Sequence, residues 1–272
     1  MVSEIDEVLD GINWKIHRRD RKTVSIDNLA LEFADLFKYV MSLFELWGIC
    51  TDEVLEYVKQ KSDAIKIMYE MEYKPSPMNS KILICDLDGT IADWQTSFRK
   101  WLVTTGKIDE DSFSPFRSLN QDVDMGVSYD VYEKWKLEFE ETGGYRSLVP
   151  ILDGMITVKR LKDSGVFLAV HTARPQARIK RIWMDTYYWL SSYGIEPDLL
   201  EIGSESRIVK ALELKKNNSV IMFEDNPELS VRAANSDIVV YMRDTEYNQG
   251  ITHENIVRVS RFNAEYDYFK ER

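Results

Sequence analysis

Four short apolar runs constrain this chain most: residues 81–86, 166–171, 219–223 and 237–241. Each is rich in Val, Ile and Leu and too short for a buried helix, so each reads as a strand. Helical patterning fills 153–163, 175–192 and 204–216 between them. Strands that alternate with helices cannot pair as hairpins. They predict an α/β fold with a doubly wound parallel sheet. Residues 93–150 break the alternation after the first strand; they are helical in pattern and rich in aromatics, and are expected to form an inserted helical cap.

Upstream the pattern is helical throughout. Helices are predicted at 3–10, 28–47 and 52–72, with Asp27 or Asn28 and Thr51 as N-caps and Gly48 as a stop. Leu29, Phe33, Leu36, Phe37, Val40, Leu43, Phe44 and Trp47 follow the spacing of a buried stripe. The segment Lys74-Pro-Ser-Pro-Met-Asn-Ser80 carries two prolines and no apolar period. The expected organisation is a small all-α domain at 1–74, a linker at 75–80 and the α/β domain at 81–272.

Acids outnumber bases 46 to 35, for a formal net charge of −11, which argues against an extended nucleic-acid surface. No run approaches the roughly 18 apolar residues of a membrane span. The N-terminus lacks the basic-then-apolar order of a secretory signal. Cys50 and Cys85 sit in apolar runs and read as buried thiols. These features predict a cytoplasmic protein.

Function concentrates after the strands. Asp86-Leu-Asp-Gly-Thr90 follows the first directly, so Asp86 and Asp88 fall at the carboxyl edge where parallel sheets bind ligands. The bland alternative is an acidic turn, since Asp-Gly is a common turn pair. The second strand ends His171-Thr172-Ala-Arg-Pro175. Lys210 lies on the helix before the third, with Arg207 and Lys215 nearby, and that strand runs into Glu224-Asp225-Asn226-Pro227. His171 reads as a strand-end core residue. Arg174 reads either as a substrate contact or as a residue that caps a helix or pairs with acids.

This order of acid pair, hydroxyl, lysine and second acid pair resembles the haloacid dehalogenase-like phosphatases over residues 81–245. The resemblance implies that Asp86 attacks phosphorus to give an aspartyl phosphate. It implies that Asp88 protonates the leaving oxygen and then activates water. Thr172, Lys210 and Thr90 would hold the phosphoryl oxygens. Mg²⁺ would be held by Asp86 and Asp225, with Glu224 as a further candidate and the Asp88 carbonyl completing the set. The stretch from Gly143 to Gly154 and the region Arg181–Gly194 are similar to 5′(3′)-deoxyribonucleotidases. Trp94, Phe98, Trp101, Phe113, Phe116, Tyr129, Tyr132 and Trp135 could stack on a base or form the cap's own core.

The N-terminal helices carry a second pattern. Glu4 and Glu7, and Glu32 and Asp35, are each spaced i, i+3 on one helix face. Acids so spaced are common on solvated helices. Side by side, however, four carboxylates would need cations. With Asn13-Trp14-Lys15 and the run from Glu32 to Leu43, the order resembles the MazG and dimeric dUTPase group of all-α nucleotide pyrophosphohydrolases. That resemblance implies Mg²⁺ on Glu4, Glu7, Glu32 and Asp35, a nucleotide beside Trp14, Lys15 and Lys61, and a homo-oligomer formed through these helices. The combined expectation is a Mg²⁺-dependent nucleotide phosphohydrolase acting on a small nucleotide or phosphomonoester. The alternative is a phosphatase of another metabolite, or of a polynucleotide 3′-phosphate, whose N-terminal helices only oligomerise.

Overall fold

A computed structural model describes residues 26–72, 74, 77–109, 121–175, 181–203 and 207–270. The chain divides into two compact units, Met1–Lys66 and Ile67–Arg272. The division falls inside a helix, ahead of the segment that reads as a linker.

In the first unit, α1 spans Ile26–Trp47, and α2 begins the run Thr51–Glu72. Gly48 ends α1 as its sequence requires: φ is +63°, and Ile49 N–H returns to Phe44 C=O at 2.8 Å. The apolar stripe departs from expectation. Phe33, Phe37 and Trp47 are exposed, and Leu36, Val40, Leu43 and Phe44 are only half-buried. Periodicity fixes which residues share a face; it does not supply a surface to cover that face. Cys50 is likewise exposed, because it lies in the turn between α1 and α2, whereas Cys85 is buried in a central strand.

The second unit holds β1 (Lys81–Cys85), β2 (Ala92–Asp93), α3 (Trp94–Thr104), α4 (Gln121–Met125), α5 (Tyr129–Glu141) and β3 (Val149–Pro150). Then follow α6 (Leu152–Asp163), β4 (Phe167–Thr172), α7 (Ile182–Ser192), β5 (Leu199–Ile202) and α8 (Arg207–Lys215). The chain closes with β6 (Ser219–Glu224), α9 (Pro227–Ala234), β7 (Val239–Arg243) and β8 (Ile256–Val259). Among the described residues the main sheet runs β5-β4-β1-β6-β7-β8, and every pairing is parallel. This is the doubly wound α/β architecture that the alternating runs predict. The edge strands β5 and β8 escaped the sequence reading. Both are four residues long, half-exposed and interrupted by a charge, Glu201 and Arg258.

Strand alternation splits the core in two. Ile82, Ile84, Val220, Met222, Val240 and Met242 face Ala211, Leu214, Ala233 and Ala234 of α8 and α9. The intervening Leu83, Cys85, Leu168, Val170, Ile221 and Phe223 are buried on the other face. There Phe223 stacks on Phe262 at 4.2 Å between ring centroids and meets Tyr268 at 4.9 Å. The C-terminal segment therefore seals this face.

Sequence order reverses at β1: the chain leaves β1 for β4 on one side and later returns to β6 on the other. The inserted segment leaves just after this point. Its two ends pair as the antiparallel ladder of β2 and β3, Ala92 opposite Pro150 and Asp93 opposite Val149. The 75–80 segment is irregular where described, as its prolines dictate. It is tied to the α/β unit, with Asn218 receiving Ser80 N–H at 3.0 Å and donating to Pro77 C=O at 2.9 Å. Among the described residues no helix is long and apolar enough to cross a membrane.

Phe223 is wholly buried at the middle of this arrangement. Phe223→Ala is expected to lower the unfolding free energy by about 3–5 kcal/mol, measured by urea denaturation. It should also expose residues 262–268 to limited proteolysis before the rest of the unit.

Candidate active site

Asp86 is the first residue beyond β1, and the turn after it is built around one carbonyl. The amides of Thr90, Ile91 and Ala92 all donate to Leu87 C=O at 2.8–3.1 Å. Leu87 points into the core while Asp86 and Asp88 line a cleft of about 320 Å³. Gly89 sits at φ +89°, and any Cβ there would run into the Asp225 carboxylate. Asp-Gly is thus more than a turn pair, because the glycine lets the first acidic loop approach the second.

That second loop leaves β6. Oxygens of Asp86, Glu224 and Asp225 lie within 4.8 Å of one another, and all three residues are buried. Glu224 Oε1 accepts from the amides of Asp225 at 3.2 Å and Asn226 at 3.0 Å. Asp225 accepts from Thr90 Oγ1 at 3.3 Å and from the Tyr247 hydroxyl. Asn248 Nδ2 holds the Asp225 carbonyl at 2.8 Å. Burial, reinforced by Glu224, raises Asp86 well above the usual carboxylate range although Arg207 opposes it. Burial likewise pushes Glu224 up to about 8, with Asp225 adding to the rise and Arg207 opposing it. Asp225 is raised by burial as well, against the Tyr247 hydrogen bond. Three hard oxygen ligands that resist ionising together fit a divalent cation such as Mg²⁺.

The cations differ from those read in the sequence. Lys210 points away from the cleft: it is 40% exposed, lies 3.6 Å from Glu201 and 3.8 Å from Glu213, and lines a separate cavity. Arg207, one turn earlier on α8, takes the place by the acids. Its Nη1 donates to Asp86 Oδ1 at 3.0 Å and lies 3.6 Å from Glu224 Oε2. Its buried Nε has no hydrogen-bond partner among the described residues. The sequence resemblance points to Lys210, but residues three apart lie on neighbouring positions of a helix face, and spacing alone does not tell which of the two reaches the acids. Thr90 also departs from a phosphate-binding role. It is wholly buried, its hydroxyl serves Asp225, and its carbonyl accepts from Arg243 Nε at 3.1 Å. Thr172 lines the cleft at the end of β4. Its neighbour His171 is buried, and burial, with Arg207 and Lys210 adding to it, pushes the imidazole down to about 3. It stays neutral and packs as a core residue. Arg174 forms a two-pronged pair with Asp88. Tyr247 and Asn248 belong to no motif in the sequence, and nothing there signals them.

The inserted segment contributes Trp94, Gln95, Gln121, Tyr132, Lys136 and Tyr145 to the cleft. Most of its aromatics serve its own core. Phe98 stacks on Trp94 at 4.8 Å and on Trp101 at 6.0 Å, and meets Phe139 at 5.4 Å edge-on. Trp94 and Tyr132 belong to both core and wall. Tyr129 is exposed, and Phe113 and Phe116 lie outside the described residues.

Of the N-terminal candidates, Glu4, Glu7, Trp14 and Lys15 lie outside the described residues, as does the side chain of Glu32. Asp35 and Lys61 are exposed. Among the described residues, Asp86, Glu224 and Asp225 are the carboxylates grouped closely enough to hold a metal.

No protein-family profile matches the chain, and no curated protein matches it. Solved structures give remote likenesses. A haloacid dehalogenase family IA hydrolase from Entamoeba histolytica is 13% identical, with 67% of this chain and 93% of that one covered and a TM-score of 0.42. A hydrolase of the same superfamily from Deinococcus radiodurans, with bound phosphate and sodium, is 14% identical over 65% and 86%, TM-score 0.38. Protein tyrosine kinase A of Mycobacterium tuberculosis is 20% identical over 65% and 89%, TM-score 0.42. At such values these likenesses add nothing to what sheet order and carboxylate geometry show.

The raised carboxylates make metal-free stability pH-dependent. Glu224 is 4.5 ordinarily and about 8 in the fold, so the fold binds its proton more tightly than the unfolded chain does. The associated stability is fully present below pH 4.5 and is lost as pH rises through about 8. A divalent cation held by these carboxylates, such as Mg²⁺, would compete with that proton. Its increment in Tm, measured by differential scanning calorimetry against EDTA-treated protein, is expected to be larger at pH 8 than at pH 5. Gly89→Ala should abolish the increment by displacing Asp225.

Proposed function

We propose that the α/β unit is a Mg²⁺-dependent phosphomonoester hydrolase working through an aspartyl phosphate. One observation carries this reading: Asp86, Glu224 and Asp225 converge at the strand-order reversal, with Arg207 and Asp88 in the same cleft. Mg²⁺ on the three carboxylates would offset the repulsion between an anionic nucleophile and the phosphoryl oxygens. Asp86 attacks phosphorus in line, and the bond to the leaving oxygen breaks. Asp88 gives that oxygen a proton. Asp88, now a carboxylate, takes a proton from water, which attacks the aspartyl phosphate and regenerates Asp86. Thr172 and Arg207 bind the phosphoryl oxygens. Among the described residues the Nε of Arg207 has no hydrogen-bond partner, which supports its service as a donor to one of them.

The preferred substrate is a 5′-deoxynucleotide. Trp94 and Tyr132 on the wall offer ring surface to a base, and Gln95 and Gln121 offer amides to its edge. A second reading concerns the N-terminal helices. Their resemblance to pyrophosphohydrolases supports cleavage of a nucleoside triphosphate to the monophosphate that the second unit consumes. The exposure of Phe33, Phe37 and Trp47 favours a role in assembling copies of the chain.

Asp86→Asn should abolish phosphate release from dUMP and from p-nitrophenyl phosphate; surviving turnover would refute the assigned nucleophile. Arg207→Gln should lower kcat/KM by about 10²–10³, as loss of a donor to developing charge does. Lys210→Gln should leave it within about twofold, as a substitution outside the cleft does. With dUTP and Mg²⁺, pyrophosphate release that Asp35→Asn removes would support the triphosphate reading. Release of phosphate alone, with an oligomer in light scattering that Phe37→Glu dissociates, would leave assembly as the helices' role.

A further inference from the structure

Asp88 is not free in the cleft. Arg174 grips it fork to fork, Nε donating to Oδ2 at 2.9 Å and Nη2 to Oδ1 at 2.7 Å. The two partners differ in exposure. The Asp88 side chain is 26% exposed, whereas that of Arg174 is wholly enclosed. The third nitrogen, Nη1, donates to Thr186 Oγ1 of α7 at 2.8 Å. The guanidinium also lies over the Tyr145 ring, 4.4 Å from its centroid. Tyr145 in turn is fixed by its hydroxyl, which donates to Glu140 Oε1 at 2.9 Å, and Glu140 is wholly buried on α5. Arg174 thus has each of its three nitrogens engaged within the protein and one face covered by an aromatic ring. A guanidinium that served chiefly to receive a phosphoryl group would keep a fork open toward it.

We infer that Arg174 is a positioning residue for Asp88 and that Tyr145 and Thr186 hold Arg174 for this task. The inference rests on Asp88 being the acid and base of the proposed hydrolysis. A bidentate pair fixes the plane of a carboxylate as well as its distance, which a single ammonium does not. Asp88 therefore meets the leaving oxygen in one orientation. The orientation is set from outside the turn that carries Asp88, by α7 on one side and by the end of the inserted segment on the other. The stacking partner matters because an enclosed cation is costly unless it is covered and bonded.

The test uses leaving groups of different basicity in the full-length protein with Mg²⁺. p-Nitrophenolate departs without a proton, whereas the alkoxide of glycerol 2-phosphate requires one. Arg174→Lys is expected to keep the single-turnover burst of p-nitrophenol within about threefold of wild type. It should lower kcat on glycerol 2-phosphate by about 10²-fold, the scale of general acid catalysis, with KM little changed. Tyr145→Leu should show the same split more weakly, and Tyr145→Phe, which keeps the ring, should restore most of the loss. If Arg174→Lys does not fold by circular dichroism, Tyr145→Leu, which leaves every carboxylate in place, carries the same comparison. Equal loss on both substrates with a raised KM would overturn the inference and make Arg174 a phosphoryl ligand. Unchanged turnover of glycerol 2-phosphate in Arg174→Lys or Tyr145→Leu, while Asp88→Asn is inactive, would overturn it and leave the phosphatase reading standing. Full activity in Asp88→Asn would sink that reading and this inference together.

Discussion

Three buried carboxylates within 4.8 Å of one another repel strongly, and much of the α/β unit is arranged around that repulsion. Each is tethered differently. Arg207 reaches Asp86 from α8, the amides after β6 hold Glu224, and Thr90 and Tyr247 hold Asp225. These contacts fix positions but leave the group short of positive charge. A site that is oxygen-rich and under-neutralised has the chemistry that suits a hard cation. Parallel pairing makes this possible, because it brings the ends of β1 and β6 to the same edge side by side.

The same edge explains why a second set of contacts surrounds Asp88. It lies three residues beyond β1, where the ladder of the main sheet no longer imposes order. A turn closed by Leu87 C=O and Gly89 supplies part of the constraint. Arg174 supplies the rest, anchored on α7 and on the inserted segment. The sheet thus orders the three clustered carboxylates, and tertiary contacts order Asp88.

Much of this was legible in the sequence, for definable reasons. Strand placement came from short apolar runs, and the acids came from their positions after those runs. The inserted segment showed as a break in alternation. What escaped depended on three-dimensional reach. Lys210 and Arg207 share a helix, and only the orientation of α8 at the sheet edge decides which one meets Asp86. Tyr247 and Asn248 act across the fold from a stretch with no pattern of its own. The edge strands β5 and β8 are short and half-exposed, so they lack the apolar signal that marks a central strand. The stripe on α1 misled in the opposite direction, since its spacing is real and its cover is not within the described residues.

The ladder of β2 and β3 has a consequence of its own. Because Ala92 meets Pro150 and Asp93 meets Val149, the chain departs from the α/β body and rejoins it through a single gate. Whatever lies between can lengthen, shorten or be replaced without shifting the register of the main sheet, which makes the segment a natural cassette for changing what enters the cleft. The cassette is not cut cleanly at the gate, however. Tyr145 lies on the cassette side of it, yet touches Arg174 on the body. An exchange that preserved the chemistry would carry over the foreign wall but retain the last turn before β3. The seam drawn by side-chain contacts therefore runs a few residues inside the topological one.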